Sequence, residues 1–100
     1  MAQQTSPPVR VVHVRIEGRV QGVYYRMWAQ ENARRLGLDG WARNRRDGSV
    51  EAVFAGAGDR VEEMLRRCAR GPRAARVTSV QVIQDGGAAP APGFSIEPDA

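Results

Sequence analysis

The chain has 100 residues with a formal net charge of +4, and 42% of them are hydrophobic. This length fits a single domain with one core, and this hydrophobic fraction excludes a chain that is disordered throughout. All 15 basic residues are arginine, which excludes a Schiff-base lysine and the lysine of a P-loop, whereas the positive charge favours an anionic partner.

The amino-terminal part of the chain is predicted to contain a disordered tail, a strand and a helix. Residues 1–8 have no apolar pattern to bury. From residue 9 apolar and polar residues alternate up to Gly18, which is typical of a half-buried strand. Beyond residue 25 the apolar residues recur at helical spacing as far as Leu36, and Gly37 provides a left-handed helix cap.

Two further strands are predicted to form a hairpin. Residues 38–44 have an extended pattern with Trp41 as the core residue, and residues 50–55 alternate in the same way. Asp47 and Gly48 lie between them. Asp-Gly is a strong hairpin signal, because glycine accepts the positive φ that tight turns require.

The carboxyl-terminal part is predicted to hold a second helix and one or two strands. Asp59 is predicted to cap this helix together with Glu62, and Gly71-Pro72 ends it. Residues 77–84 then read as a strand, and residues 94–96 as a short additional one.

The order of these elements predicts an α+β protein. Strand, helix, strand, strand, helix and strand (βαββαβ, with the short fifth strand) favour a ferredoxin-like two-layer sandwich, in which two helices cover one face of an antiparallel sheet. The domain is predicted to span residues 9–97, with a C-terminal tail at residues 98–100.

The side chains that usually carry catalysis or bind metals are scarce in this sequence. His13 is the only histidine and Cys68 the only cysteine. The first is predicted on a strand surface and the second on the apolar stripe of a helix, so neither supports a histidine metal cluster, a Ser-His-Asp set or a cysteine nucleophile. Any catalysis must therefore proceed without the usual nucleophiles.

The segment GRVQGVYYR, residues 18–26, is the strongest candidate for a binding site. Its glycines let successive backbone N–H groups point inward towards an anion, and the segment leads directly into a helix N-terminus. Arg26 adds a guanidinium that binds two phosphate oxygens. An ordinary basic turn explains the same residues equally well, so general physical principles leave both interpretations open.

Two segments resemble the acylphosphatase family: GRVQGVYYR at residues 18–26 and LGLDGWARNRRDGSVE at residues 36–51. The resemblance covers residues 9–97 and implies a ferredoxin-like fold and the hydrolysis of acyl phosphates to carboxylate and phosphate, without metal or cofactor. It implies that Arg26 and Asn44 are the catalytic residues, with Arg26 on the phosphate and Asn44 orienting the attacking water. The phosphate cradle that it implies consists of Arg19, Val20, Gln21, Gly22 and Val23.

Two other interpretations remain open from the sequence. A non-catalytic ferredoxin-like module that binds an anion or RNA suits the basic composition, although RNA binding calls for aromatic residues interleaved on a sheet face. An acylphosphatase-like domain of a carbamoyl-phosphate-using hydrogenase maturation protein is the other. The expected partner is a small-molecule acyl phosphate, with neither nucleic acid nor a membrane. We expect a cytoplasmic location, because the sequence shows no secretory signal, and the resemblance implies a monomer.

Overall fold

The computed structural model describes residues 9–100 and contains the predicted elements in the predicted order. The bounds of these elements are β1 (Val9–Arg19), α1 (Tyr25–Arg35), β2 (Asp39–Asn44), β3 (Val50–Ala57), α2 (Gly58–Arg70), β4 (Arg76–Asp85) and β5 (Phe94–Ile96). The tail predicted at residues 1–8 lies outside the described residues. Within residues 9–100, neither helix is long and apolar enough to cross a membrane.

The strands form one five-stranded sheet in the order β4-β1-β3-β2-β5. β1 pairs antiparallel with β3 and β4, and β2 pairs antiparallel with β3. β5 pairs parallel with β2, because the chain crosses from one edge of the sheet to the other after β4. The predicted α+β two-layer fold is confirmed, and its sheet is mixed because of this short edge strand.

The core lies between the helices and one face of the sheet. Alternate residues of β1 and β3 are fully buried there, as the sequence pattern predicts, and burying one valine, isoleucine or phenylalanine side chain contributes about 1.5–3 kcal/mol. They are Val12, Val14, Ile16, Val50, Ala52 and Phe54. Tyr25 of α1 joins the two helices, because its hydroxyl donates a 2.7 Å hydrogen bond to the carbonyl of Cys68.

Two expectations about individual residues were wrong. Trp41 lies outside the core, where its ring makes an edge contact with His13 at 5.7 Å between centroids. The buried residues of β2 are Gly40 and Ala42, so the two-residue period of the strand turns Trp41 to the opposite face of the sheet.

Asp59 does not cap α2. The helix begins earlier, at Gly58, with Ala57 in the cap position and no side-chain cap hydrogen bond. Asp59 therefore lies inside the first turn, where its carboxylate accepts a hydrogen bond from the N–H of Arg60. Glu62, the expected partner in the cap, forms an ion pair with Arg10 of β1 instead.

The strand register brings two distant parts of the sequence together. Ile16 of β1 lies opposite Val50 of β3, and Val50 lies opposite Asn44 of β2. Neighbouring strands are about 4.8 Å apart, so the end of β2 is about 10 Å from β1, close to where β1 leads into α1. The end of β1, where the first motif begins, and the end of β2 thus lie at the same end of the sheet.

Candidate active site

Residues 20–24 form the loop that joins β1 to α1. Val20 and Val23 anchor it in the core, with 1% and 9% of their surfaces exposed. Between them Gly22 has a left-handed φ of 73°, and Tyr24 has a φ of 71° directly before the helix. Left-handed residues within a turn bend the backbone so that neighbouring N–H groups face a common point, which is typical of an anion-binding nest.

The backbone N–H groups of this loop are available to a ligand. Within residues 9–100, none of the N–H groups of residues 20–24 donates to a backbone carbonyl. No side chain caps α1, and its first turn contains no acidic residue. The positive end of the helix dipole is therefore not compensated at this position, which favours an anion there.

Arg26 is the second residue of α1, and its side chain reaches the same point. Together with Asn44 and residues of the loop, it lines a cleft of about 120 Å³. Its Nη1 lies 3.3 Å from Oδ1 of Asp99, near the carboxyl terminus. The guanidinium thus already contacts one carboxylate, and it is accessible to an oxyanion.

Asn44 is the last residue of β2 and faces the cleft. Its neighbours Arg43 and Arg45 both bind Glu51 of β3, so the alternation along the strand turns Asn44 the other way. The Oδ1 atom of Asn44 is buried and has no hydrogen-bond partner among the described residues. A buried acceptor without a partner is costly unless a ligand or water supplies a donor.

Glu51 is a buried carboxylate that fixes the strand carrying Asn44. It is only 4% exposed and accepts hydrogen bonds from Arg43 at 2.7 Å, from Arg45 at 2.9 Å and from His13. Burial by itself would raise the pKa of Glu51, but these hydrogen bonds outweigh it and lower the pKa below its ordinary value. The carboxylate therefore stays ionised and holds both neighbours of Asn44.

Gln21 connects the loop to the hairpin. Its Nε2 donates 2.7 Å and 2.9 Å hydrogen bonds to the carbonyls of Arg45 and Ser49. These two carbonyls flank the turn that follows Asn44. The side chain of Gln21 therefore sets the spacing between the two motifs, while its backbone remains part of the loop.

The structure brings only part of the expected site into the cleft. Arg26, Asn44, Val20 and Gly22 line it, whereas Gln21 and Val23 are turned towards the hairpin and the core. Arg19 is the last residue of β1 and pairs with Arg76 of β4. The predicted cradle residues can thus contribute mainly their backbone groups.

Three contributors to the site were missed in the sequence. Glu51 occupies a position where strand alternation predicts an exposed side chain, and only the arginines on both sides of Asn44 signal its role. Asp99 lies in a segment predicted to be a tail. Met27 lines the cleft beside Tyr24. The helical periodicity of the sequence does not indicate that Met27, which directly follows Arg26, faces the cleft.

No metal site accompanies these residues in the part of the chain that the structure describes. Over residues 9–100, no three His, Cys, Asp or Glu side chains come together in a group that could hold a metal ion. Cys68 is fully buried, and this burial raises the pKa of its thiol to about 12. Such a thiol is not a nucleophile at neutral pH.

The fold and the site define a class: a small α+β sandwich in which a tight loop leads into the uncapped N-terminus of the first helix. The model of the family described as Acylphosphatase matches residues 12–96. The chain is 55% identical over 85 residues to an acylphosphatase of Rhizorhabdus wittichii, covering 85% of each chain. It is 63% identical over 67 residues to one of Rhodopseudomonas palustris, covering 67% of this chain and 68% of the relative.

A solved structure agrees with these sequence matches. An acylphosphatase from Coxiella burnetii superposes with a TM-score of 0.84 at 29% identity, covering 89% of this chain and 93% of the other. The chain therefore belongs to the acylphosphatase family, as the two motifs indicate. Its relatives are hydrolases acting on acid anhydrides, and the family match does not favour the alternative of a non-catalytic anion- or RNA-binding module.

Proposed function

We propose that this protein hydrolyses acyl phosphates, with Arg26 and the loop N–H groups on the phosphate and Asn44 orienting the attacking water. The observation that carries this proposal is the shared cleft: residues 18 positions apart in sequence meet beside an uncapped helix N-terminus. The substrate is a mixed anhydride of a carboxylic acid and phosphoric acid. No metal or cofactor is expected to take part.

The phosphoryl group binds where the positive elements converge. Loop residues, the start of α1 and Arg26 line the same cleft, and within residues 9–100 no backbone carbonyl accepts from the N–H groups of residues 20–24. In phosphoryl transfer the negative charge spreads over the equatorial oxygens, and catalysis consists mainly of positioning and electrostatic stabilisation. Donors that are already fixed in a loop need no reorganisation when this charge develops.

Asn44 supplies what the attacking water requires. Its buried Oδ1 lacks a donor within residues 9–100, and a water molecule in the cleft satisfies it by donating one hydrogen bond. The oxygen of that water keeps its lone pairs, one of which points at phosphorus. Since Arg43 and Arg45 fix the strand through Glu51, Asn44 is held rigidly on its side of the cleft.

The leaving group makes a general acid unnecessary. The water oxygen forms a bond to phosphorus, the bond between phosphorus and the acyl oxygen breaks, and the electron pair leaves on the carboxylate. A carboxylate is the anion of an acid with a pKa of about 4, so it departs without a proton. The water proton passes to a phosphate oxygen, which accounts for a site without a side-chain base.

The test is hydrolysis of benzoyl phosphate in the presence of EDTA by the wild type and by Arg26→Gln. Removing one preorganised donor costs about 10²–10³ in rate, and we expect at least this loss when the charge is removed with it. The matched control is Arg60→Gln, which removes a charge from α2 at the other end of the sheet, where Ala57 pairs with Val9. A folded wild type without activity, or equal losses in both variants, would refute the proposal.

The finer expectations from the sequence stay predictions. They are a monomeric enzyme, a cytoplasmic location and the absence of a nucleic-acid partner. Sedimentation equilibrium tests the first, and titration with single-stranded RNA in low salt tests the last.

A further inference from the structure

The cleft is small, at about 120 Å³, well below the roughly 300 Å³ of sites that enclose a drug-sized molecule. A large acyl group that is bound together with the phosphoryl group therefore extends to the rim of the cleft. In an in-line displacement the leaving oxygen and the attacking water lie on opposite sides of phosphorus. Since Asn44 orients the water from the β2 side, the acyl group points to the α1 side.

Two large apolar side chains lie on that side of the cleft. Tyr24 and Met27 both line it, and they are 54% and 50% exposed. Tyr24 directly precedes α1 and Met27 is the third residue of this helix, so both lie beside Arg26 where the helix begins. We call this pair the acyl shelf. An aromatic ring beside a thioether is a flat and polarisable surface, which suits an aromatic group.

The ring of Tyr24 is held in place although it is exposed. Its hydroxyl donates a hydrogen bond to the carboxylate of Glu31, two turns further along the same face of α1. Its backbone has a φ of 71°, the only positive value of a residue other than glycine within residues 9–100. Such strained positions persist where the surrounding structure fixes them, and they are concentrated at ligand sites. The shelf is thus formed before any ligand binds.

We propose that Tyr24 and Met27 form the subsite for the acyl group and give the enzyme a preference for apolar, above all aromatic, acyl phosphates. This inference rests on the proposed function, because it assigns the second half of the same substrate. Acetyl phosphate leaves the shelf nearly uncovered, whereas the ring of benzoyl phosphate stacks on Tyr24 and contacts the thioether of Met27. The preference therefore resides in KM and not in the chemical step.

The experiment measures KM and kcat for acetyl phosphate and benzoyl phosphate with the wild type, Tyr24→Ala, Met27→Ala and Tyr24→Phe. We expect the wild type to bind benzoyl phosphate about tenfold more tightly, and either alanine variant to reduce this ratio by about five- to tenfold, the size of one aromatic contact. Tyr24→Phe keeps the ring and should keep the ratio. Ile83→Ala is the matched control, because Ile83 is equally exposed, at 54%, on the edge strand β4.

The outcomes separate this inference from the proposed function. If the wild type hydrolyses neither compound, both fail. If it hydrolyses both compounds and the two alanine variants retain the wild-type ratio of KM values, the proposed function stands and the acyl shelf is refuted. Unfolding in urea verifies that each variant is folded, and if one alanine variant does not fold, the ratio measured with the other one decides.

Discussion

Replacing Gln21 by methionine should weaken the connection between the phosphate loop and the hairpin. The change removes the hydrogen bonds from Nε2 to the carbonyls of Arg45 and Ser49. Neither carbonyl is left without a donor, because the first also accepts from the N–H of Gly48 at 3.2 Å and the second from the N–H of Arg45 at 2.9 Å. The loss is therefore that of two ordinary hydrogen bonds, about 1–3 kcal/mol in the free energy of unfolding.

The functional consequence is a change of geometry. Without Gln21 the spacing between the loop and Asn44 is set only by the sheet, and a displacement of about 1 Å at a reacting centre costs up to about 100-fold in rate. We expect kcat for benzoyl phosphate to fall by a larger factor than KM rises, since the phosphate cradle itself stays intact. Steady-state kinetics at a temperature well below the unfolding midpoint measures both.

Gln30→Met provides the matched control for this variant. Gln30 of α1 also donates through Nε2 to a backbone carbonyl, that of Phe94, which retains a donor in Arg34. The Gln30→Met variant should have a lower free energy of unfolding than the wild type and an unchanged kcat. The reasoning is refuted if Gln21→Met unfolds at the wild-type urea concentration, or if its kcat equals that of Gln30→Met.

Three further predictions concern other parts of the structure. The pKa of Glu51 is lowered from its ordinary 4.5, so the ionised carboxylate stabilises the fold above pH 4.5, and this stability is lost as the pH falls through the pKa of the folded state. In Glu51→Gln the melting temperature should therefore depend less on pH between pH 7 and 3. An unchanged pH profile would contradict this. Gly40→Ala places a Cβ 1.8 Å from the carbonyl oxygen of Val53 and should cost at least about 3 kcal/mol in urea unfolding; wild-type stability would refute it. Asp99→Asn removes the carboxylate that competes for Arg26, so inorganic phosphate should inhibit up to about fivefold more strongly, the limit for an exposed ion pair; weaker inhibition would show that Asp99 positions the guanidinium instead.

Periodicity predicted the fold because the two faces of this sheet differ strongly. Alternation from residue 9 predicted β1, and its buried residues Val12, Val14 and Ile16 are those that the pattern indicates. The same reasoning failed for Trp41, because size alone suggested a core residue. In β2 the period places Gly40 and Ala42 against the helices, so the small residues are inside and the large aromatic one is outside.

The candidate site was predictable where it depends on the order of motifs and not where it depends on long-range contacts. The resemblance selected Arg26 and Asn44, and both line one cleft in the structure. The pairing of Gln21 with the hairpin spans 24 and 28 positions, and that of Arg26 with Asp99 spans 73. No periodicity connects residues at such separations, since only the folded sheet brings them together.

The proposed mechanism explains how a small fold can catalyse this reaction with backbone N–H groups, one guanidinium and one amide. An acyl phosphate already has a good leaving group, so the protein has only to stabilise the negative charge on the phosphoryl group and to orient the attacking water. Backbone N–H groups at a helix N-terminus stabilise an anion without any particular side chain, provided that no carbonyl group of the loop accepts their hydrogen bonds. Here the burial of Val20 and Val23 and the hydrogen bonds of Gln21 keep that loop open. The sequence of the first motif must therefore encode the conformation of this loop as well as the guanidinium of Arg26.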